Sequence, residues 1–483
     1  MTTDAPTPNP SQPSPPTERE NPLVLIVGAG VAGLFLAILL EQAGIPYQVF
    51  ERAKEVKPLA VMSLNAGVFP VIEQLHLYEE LLKVSLRSGG GFKIYKSDLS
   101  LIYNLKTDIQ HVVGYNHVVF ARPEFYDLLL SRVPTEKIQF NKKLTSMEQH
   151  DNSAIIHCAD GTSYKGDIVV GADGAYSGVR QAMYKSLAEE GKLPSSDAVQ
   201  LNKGFICMVG TTRPLDPARY PGIDDTIANC NQIIGDNKYC WSAFSVPGNR
   251  ICWNVILQLA TVEESVDDKF KNAEWGGDSS DPMISAEIRG FLIPFGNNTL
   301  GDLIDATPQD NISKVFLEDK LFETWNHGRA VLIGDACHKL LPSAGLGAVT
   351  SIQDAVVLAN SLYELKGVSI SDISTALAEY KAERYIRVKA QYEASKMDAR
   401  LIYGQSFMER VLRTMVFNWL PESVKLKGSV KGLDFRPQAS FLPQVPVRGT
   451  APVLPQKPSL RYQAEQAKLK GEEQAPAAEF VTV

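Results

Sequence analysis

The feature that most constrains the fold is residues 23–40, LVLIVGAGVAGLFLAILL, an uncharged run divided by Gly28, Gly30 and Gly33. The run is long enough to meet the threshold for a membrane span, but glycines at GxGxxG spacing split it into strand, tight turn and helix. Residues 23–27 read as a buried strand, 31–42 as a helix, and 47–50 as a second strand ending at Glu51 and Arg52. Strand, helix and strand in about 30 residues make the βαβ unit of a Rossmann-like α/β fold. Gly28 permits the turn, Gly30 lets a pyrophosphate approach the backbone, and Gly33 lets helix and strand pack closely. The helix N-terminus adds free N–H groups and a positive dipole end. Glu51 follows Gly33 by 18 residues, where a carboxylate takes ribose hydroxyls and disfavours a 2′-phosphate. Arg52 stands beside it. This unit alone does not separate FAD from NAD.

A chain of 483 residues exceeds one core, so two intimately joined domains with tails are expected. Residues 1–22 are rich in Pro, Ser and Thr and read as a disordered lead. Residues 23–199 form the first part of the nucleotide-binding domain, with a β-rich insertion at about 90–120. Residues 200–325 alternate apolar strands and read as a sheet-rich second domain, with 326–403 returning to the first. Residues 404–460 carry an amphipathic helix and a Pro-rich segment, and 461–483 read as a disordered tail. The net charge of −7 argues against nucleic-acid binding. The six cysteines are scattered, without CxxC or His/Cys spacing for a metal, and the seven histidines form no HxxxH. No secretory signal is visible, and a cytoplasmic protein is expected.

Two more strand-end turns follow. Residues 168–180, IVVGADGAYSGVR, end a strand at Asp173 and Gly174. Residues 331–338, VLIGDACH, end another at Gly334 and Asp335, followed by Pro342, Gly345, Gly347 and a helix from about Ala348. Three such turns in this order resemble the flavin monooxygenases of the para-hydroxybenzoate hydroxylase type, with their GxGxxG, DG and GD signatures. The resemblance covers roughly residues 22–400, and RPQASFLP at 436–443 looks closest to the fungal FAD-dependent epoxidase and hydroxylase branch.

The resemblance implies an oxidoreductase of secondary metabolism, with a Rossmann-like FAD-binding domain, an interleaved mixed β-sheet substrate domain and C-terminal helices. It implies FAD as cofactor and NAD(P)H as transient electron donor. Asp335 would bind the ribityl chain, and Asp173 with Gly174 would organise FAD and the approach of NADPH. Arg122 would reach the cofactor near the pyrophosphate. Gly345, Leu346, Gly347 and Ala348 would present backbone N–H groups to the N1–C2=O edge of the flavin, where reduced flavin carries negative charge and a helix N-terminus is favourable. The family often reads Gly-Gln-Gly-x-Asn after the proline; this chain has Gly345-Leu346-Gly347-Ala348-Val349, which removes a side-chain amide at 349.

The implied activity is insertion of one atom of O₂ into a small apolar or aromatic molecule, by hydroxylation or epoxidation through a flavin C4a-hydroperoxide. No protein catalytic residue is required, and His338 is a weak candidate for acid–base work, a structural histidine being the commoner reading. Alternatives are a reductase or dehydrogenase on the same scaffold, or a non-catalytic flavin-binding protein. Redox cysteine pairs and a second GxGxxG are absent, as is a WxWxIP stretch. Substrate contacts are expected around 204–211, 239–255 and 291–296 and from the loop at 58–65. In residues 406–420, SFMERVLRTMVFNWL, Met408, Leu412, Met415, Val416, Trp419 and Leu420 share one side. That stripe suits a face turned to the core or covering the pocket, the commoner use, or peripheral contact with an internal membrane.

Overall fold

The opening run folds as a strand, Val24–Val27, and a helix, Val31–Gln42, whose first ten residues are all buried. A helix apolar on every side belongs inside a sheet-and-helix sandwich, which disposes of the membrane reading. The computed structural model describes residues 21–56, 61–89, 91–105, 109–235, 239–259, 286–404 and 406–473. The tail expected over 1–22 therefore lies almost wholly outside the described residues, as do 58–60 of the loop at 58–65 and 474–483 of the expected C-terminal tail.

Val24–Val27 pairs in parallel with Tyr47–Phe50 on one side and Ile168–Gly171 on the other. Ile138–Gln139 and Ala330–Leu332 extend the parallel sheet outward, and Asn326–His327 adds an antiparallel edge. Central parallel strands are covered on both faces, hence their unbroken Val, Ile and Leu. The glycine-turn helix packs against Gly347–Tyr363, itself buried at thirteen positions, so the two conserve a dry interior between them. The motif-bearing turns at Gly28, Asp173 and Gly334 follow three adjacent parallel strands at their carboxyl ends, the position at which open α/β sheets bind ligands.

The second sheet has eight strands. In spatial order they are His338–Lys339, Ile312–Leu321, Asn202–Thr211, Arg250–Gln258, Tyr239–Val246, Cys230–Ile234, Phe92–Lys96 and Leu101–Leu105. All neighbours are antiparallel except Cys230–Ile234 with Phe92–Lys96, which makes the sheet mixed. Residues 92–105, read from sequence as an insertion in the first domain, are thus the edge of the second sheet. One face of that sheet packs on Trp241, Trp253, Ile293 and Phe295; the other meets the first domain through Leu341, Ala399 and Tyr403.

Several elements depart from the sequence reading. The loop expected at 58–65 contains the strand Val61–Leu64, which pairs with Val118–Ala121. Two helices follow it, Phe69–Gln74 and Tyr78–Lys83, separated where His76 takes φ 54°. Residues 110–113, read as β, close a helical turn at Gly114. Leu460–Glu473 is helical where polar composition suggests a tail, and Arg461 anchors it by donating to the Tyr363 carbonyl.

Candidate functional site

At the first turn the three glycines divide by what surrounds them. A Cβ on Gly28 would lie 2.4 Å from the Ala172 carbonyl oxygen, and its φ of 107° already excludes most side chains. A Cβ on Gly33 would lie 2.0 Å from the Gly28 oxygen. A Cβ on Gly30 meets nothing within 4 Å. Two glycines are therefore demanded by packing, and the third faces open space at the N-terminus of Val31–Gln42. Glu51 closes the turn from the neighbouring strand, its Oε2 accepting from the Ala29 N–H at 2.9 Å and Oε1 from Ala53 N–H at 2.9 Å. Each oxygen keeps a second lone pair for a ribose hydroxyl. Arg52 is exposed.

Asp173 Oδ2 accepts from the Gly178 N–H at 2.6 Å, tying the second turn to the helix Gly178–Glu189, while Asp173 Oδ1 is buried without a partner. Burial pushes this carboxyl above its usual value, against the pull of those hydrogen bonds. Gly174 takes φ 80° in the same turn. Arg180, seven residues on from Asp173, spans to the third turn: it donates to the carbonyls of Ala175 and Ala336, at 2.6 and 2.7 Å, and lies over the Phe322 ring. The DG and GD turns are thereby held as one unit.

Asp335, after Gly334 with its φ of 60°, pairs with Lys339. Burial works against its charge, but Lys339, His338 and Arg122 outweigh it and hold the carboxyl below the usual range. Arg122 begins the helix Arg122–Leu130. Its side chain is exposed to solvent and yet ringed by protein deeply enough to lower its pKa by desolvation, with Asp335 pulling it back. An accessible but desolvated guanidinium sits near enough to Asp335 for the two charges to interact, which marks the recess that the three turns would share.

Below that recess, residues 342–347 make a short turn in which Gly345 has φ 62° and a Cβ there would lie 3.0 Å from Ser63 Oγ. Leu346 caps the helix Gly347–Tyr363 without a side-chain hydrogen bond, and a Cβ on Gly347 would meet nothing within 4 Å. The first N–H groups here, through Ala348, have no side-chain acceptor and point from the positive end of the helix dipole. Val349 turns into the core beside Gly67.

His338 is fully buried, with Nε2 at 2.5 Å from Asp354 Oδ2 and Nδ1 unpaired. Asp354 also accepts from the Gly334 N–H at 2.9 Å and from Arg384 Nε at 2.7 Å. Burial would raise the Asp354 pKa, but His338 and Arg384 hold it below the usual range. His338 is therefore a brace beneath the GD turn. Cys337, His338 and Asp354 lie close enough to suggest a metal, yet the Asp354 oxygens already serve three donors. The Cys337 thiol, pushed well up by burial, donates to main-chain carbonyls. The donor set is a hydrogen-bond network. Sequence reasoning missed Arg180, Asp354 and Arg384; a charged residue in a helix carries no local mark of being buried against a turn far along the chain.

The second sheet meets this recess with three cross-strand rows. Cys207, Ile256, Cys240 and Ile234 form one, beside Leu341; Thr211, Cys252, Phe244, Cys230 and Phe92 form another, beside Val119, Ala121 and Val61. Between them run Val209, Asn254, Ser242 and Gln232. Ser242 Oγ and Asn254 Oδ1 are buried without partners, at a cost of about 1–3 kcal/mol each. Residues 204–211 and 239–255 thus contribute to this face as expected. Residues 291–296 do not: Phe291 stacks on Trp241 at 4.3 Å and Phe295 packs on the opposite face, where Leu292–Ile293 pairs with Asn298–Thr299 in a separate two-stranded sheet.

The helix expected over 406–420 is Phe407–Thr414 with a wider turn over Met415–Trp419. Its stripe is largely turned away from the core: Met408, Met415, Trp419 and Leu420 are exposed, Met408 and Trp419 by 69 and 72 %, with Leu412 and Val416 half-buried and the neighbouring Phe407 78 % exposed. The buried member is Arg413, which donates to the Leu401 carbonyl, and only Phe417 stacks inward on Tyr103. No helix among the described residues is long and apolar enough to cross a membrane.

Open space at Gly30 and Gly347, an unpaired buried oxygen on Asp173 and the recessed Arg122 fit a flavin dinucleotide laid from the first turn to residues 342–347. Comparison with known proteins agrees. The sequence profile described as "FAD binding domain" matches residues 22–204 and 297–395, more than half of the chain. FAD-dependent monooxygenase ausM of Emericella nidulans is 29% identical over 449 residues, covering 89% of this chain and 88% of that protein. FAD-dependent monooxygenase nvfK of Aspergillus novofumigatus is 29% identical over 434 residues, covering 86% and 88%. Among solved structures, Klebsiella pneumoniae HpxO complexed with FAD and uric acid superposes with TM-score 0.67 at 21% identity, over 86% of this chain and 97% of that one. CtdE in complex with FAD and substrate gives 0.64 at 19%, over 80% and 90%.

Proposed function

Since the chain belongs to the FAD binding domain family, we propose that it is an FAD-dependent monooxygenase that uses NAD(P)H and O₂ to oxygenate a small apolar or aromatic molecule. The observation that carries this reading is the run of three strand-end turns at the carboxyl ends of adjacent parallel strands, with the second sheet packed against the first domain through Leu341, Ala399 and Tyr403. FAD, reduced by NAD(P)H, supplies the oxygen-activating chemistry when bound. The chain's own part is positioning. Gly30 and the helix after it receive the pyrophosphate, Glu51 the adenosine ribose, and Arg122, Asp173 and Asp335 the remainder of the chain to the flavin. The Gly345 N–H is taken by the Pro342 carbonyl at 2.9 Å; the N–H groups from Leu346 to Ala348, at the start of the helix, would stabilise negative charge at the ring edge. The buried Cys207, Ile256, Cys240 and Cys252 of the apolar rows would keep water from the reacting face.

The purified protein is expected to be yellow and to oxidise NADPH with uptake of O₂. A colourless protein with no affinity for FAD overturns the proposal. Product formation without oxygen consumption favours a reductase or dehydrogenase instead.

We also propose that the exposed stripe at 406–420 rests on a membrane surface, from which apolar substrates are drawn. Val424 and Leu426 continue the apolar patch, and Arg410, Lys427 and Lys431 are exposed beside it, the combination that favours an anionic interface. Burying one large aromatic contributes at least about 1.5 kcal/mol, so Trp419→Glu is expected to weaken sedimentation with phosphatidylserine-containing vesicles by at least about tenfold. Equal sedimentation of both proteins, or none by either, rejects the membrane contact.

A further inference from the structure

Interior faces of a sheet between two domains are ordinarily closed throughout. Here the face toward the first domain is closed at Cys207, Cys230, Cys240 and Cys252, but half-open at Val209, Asn254 and Phe244. Val209 and Asn254 are direct cross-strand neighbours, and Phe244 lies diagonally from Asn254, opposite Cys252. Residues so related have side chains within reach of one another, so the three border a single opening. It lies between the row flanked by Leu341, next to residues 342–347, and the row flanked by Ala121, next to Arg122. The opening thus faces the recess in which the flavin ring is placed.

Asn254 is the polar member of the three. Its Oδ1 is buried and accepts no hydrogen bond, and the Oγ of Ser242, directly across the strand pair and fully buried, has no partner either. Farther along the row Gln232 is committed, donating to the Trp241 carbonyl at 3.0 Å. Two adjacent unpaired polar atoms in an otherwise apolar wall do not arise from packing, which would be served as well by Val or Ala. They are a feature that something else completes.

We propose that Asn254, backed by Ser242, is the specificity-determining contact of the substrate site, binding one hydroxyl or N–H donor on an otherwise apolar molecule. This rests on the flavoenzyme reading above. It narrows the substrate class to lipophilic alcohols, phenols or indole-type N–H compounds, held by one directional contact that sets which carbon faces the flavin. Val209 and Phe244 supply shape; Asn254 supplies orientation. Ser242 is a positioning residue, its hydroxyl free to bond the Asn254 amide once that amide turns to the ligand.

The test is ligand binding to the FAD-loaded full chain, followed by perturbation of the flavin absorbance without reductant. The probes are 1-naphthol and 1-methoxynaphthalene, which differ in the donor. The native protein is expected to prefer naphthol by about 3- to 10-fold, the factor one neutral hydrogen bond gives. In Asn254→Leu that ratio falls to about one while methoxynaphthalene affinity is kept, and Ser242→Ala lowers it partially. An unchanged ratio in Asn254→Leu overturns the proposal, as does a native protein that holds FAD yet shows no preference or no response to either probe. Failure to hold FAD would instead reject the flavoenzyme reading. Asn254→Ser, smaller and still polar, is expected to retain part of the preference and serves if Asn254→Leu does not fold.

Discussion

Gly30→Ala is expected to yield a folded protein that has lost FAD, while Gly33→Ala yields little folded protein at all. The same methyl group is added three residues apart in one turn, and the two outcomes part because the sites differ in what they face. At Gly33 the new Cβ would stand 2.0 Å from the Gly28 oxygen, a backbone atom that cannot swing aside. Relief requires the helix Val31–Gln42 to lift from the strand Val24–Val27, both of them buried throughout the contact. Losing that seam exposes several Val, Leu and Ile side chains, each contributing about 1.5–3 kcal/mol, which exceeds the margin of most domains. At Gly30 the added carbon enters open space and disturbs nothing in the protein. It occupies the approach of the pyrophosphate, so FAD affinity is expected to fall by tenfold or more, about 1.4 kcal/mol or greater. Circular dichroism and flavin titration separate the two. A Gly30→Ala protein that binds FAD normally would show that the pyrophosphate does not pass over this turn.

Arg384→Met is expected to destabilise the protein by about 3–5 kcal/mol, the range for removing one partner of a buried ion pair. Arg384 is fully buried and spreads its guanidinium over Asp354, Gln353 Oε1 and the Thr350 carbonyl. Its loss leaves Asp354 facing a neutral thioether, with His338 and the Gly334 N–H as its remaining partners. By roughly 2–4 °C per kcal/mol for a domain-sized unit, the melting temperature drops roughly 6–20 °C. The pH dependence supplies an independent check. In the native protein the Asp354 pKa lies below its unfolded value, so its contribution is present at neutral pH and is lost as pH falls through the acid range below 3.8. In the variant burial prevails, and the folded pKa moves above the unfolded one. The penalty then shrinks as pH falls, and the gap between the two melting temperatures narrows from pH 7 toward pH 5. A gap that holds constant over that interval would mean that Asp354 is not the residue left uncompensated.

What the sequence disclosed follows the range of the interactions involved. The first βαβ unit was legible almost to the residue, because turn, strand and helix there are dictated by neighbours within thirty positions and by glycines whose roles are local. The turns at Asp173 and Gly334 were legible as motifs, though not as a unit; their joining by Arg180 depends on a contact across 156 positions. The brace of Asp354 and Arg384 under His338 left no trace, since the helical pattern around each tolerates a charge on any face. Residues 291–296, expected at the substrate, pack as a separate segment on the far side of the sheet: apolar content marks burial and does not say against what. The stripe at 406–420 left core, pocket cover and membrane surface open for the same reason. Amphipathicity establishes that one side avoids water, and whether protein or lipid covers that side is decided by partners outside the helix.

The edge strands Phe92–Lys96 and Leu101–Leu105 have a bearing on how the molecule comes apart. They leave the chain amid the first domain's segments, yet Phe92–Lys96 pairs in parallel with Cys230–Ile234, more than 130 positions later, and carries Leu101–Leu105 antiparallel on its other side. Neither half of the polypeptide carries the whole of the six-stranded or the eight-stranded sheet, so division near residue 200 produces two fragments with torn edges in place of two autonomous folding units. Unfolding is accordingly cooperative across both lobes, and the walls of the flavin recess persist or vanish together.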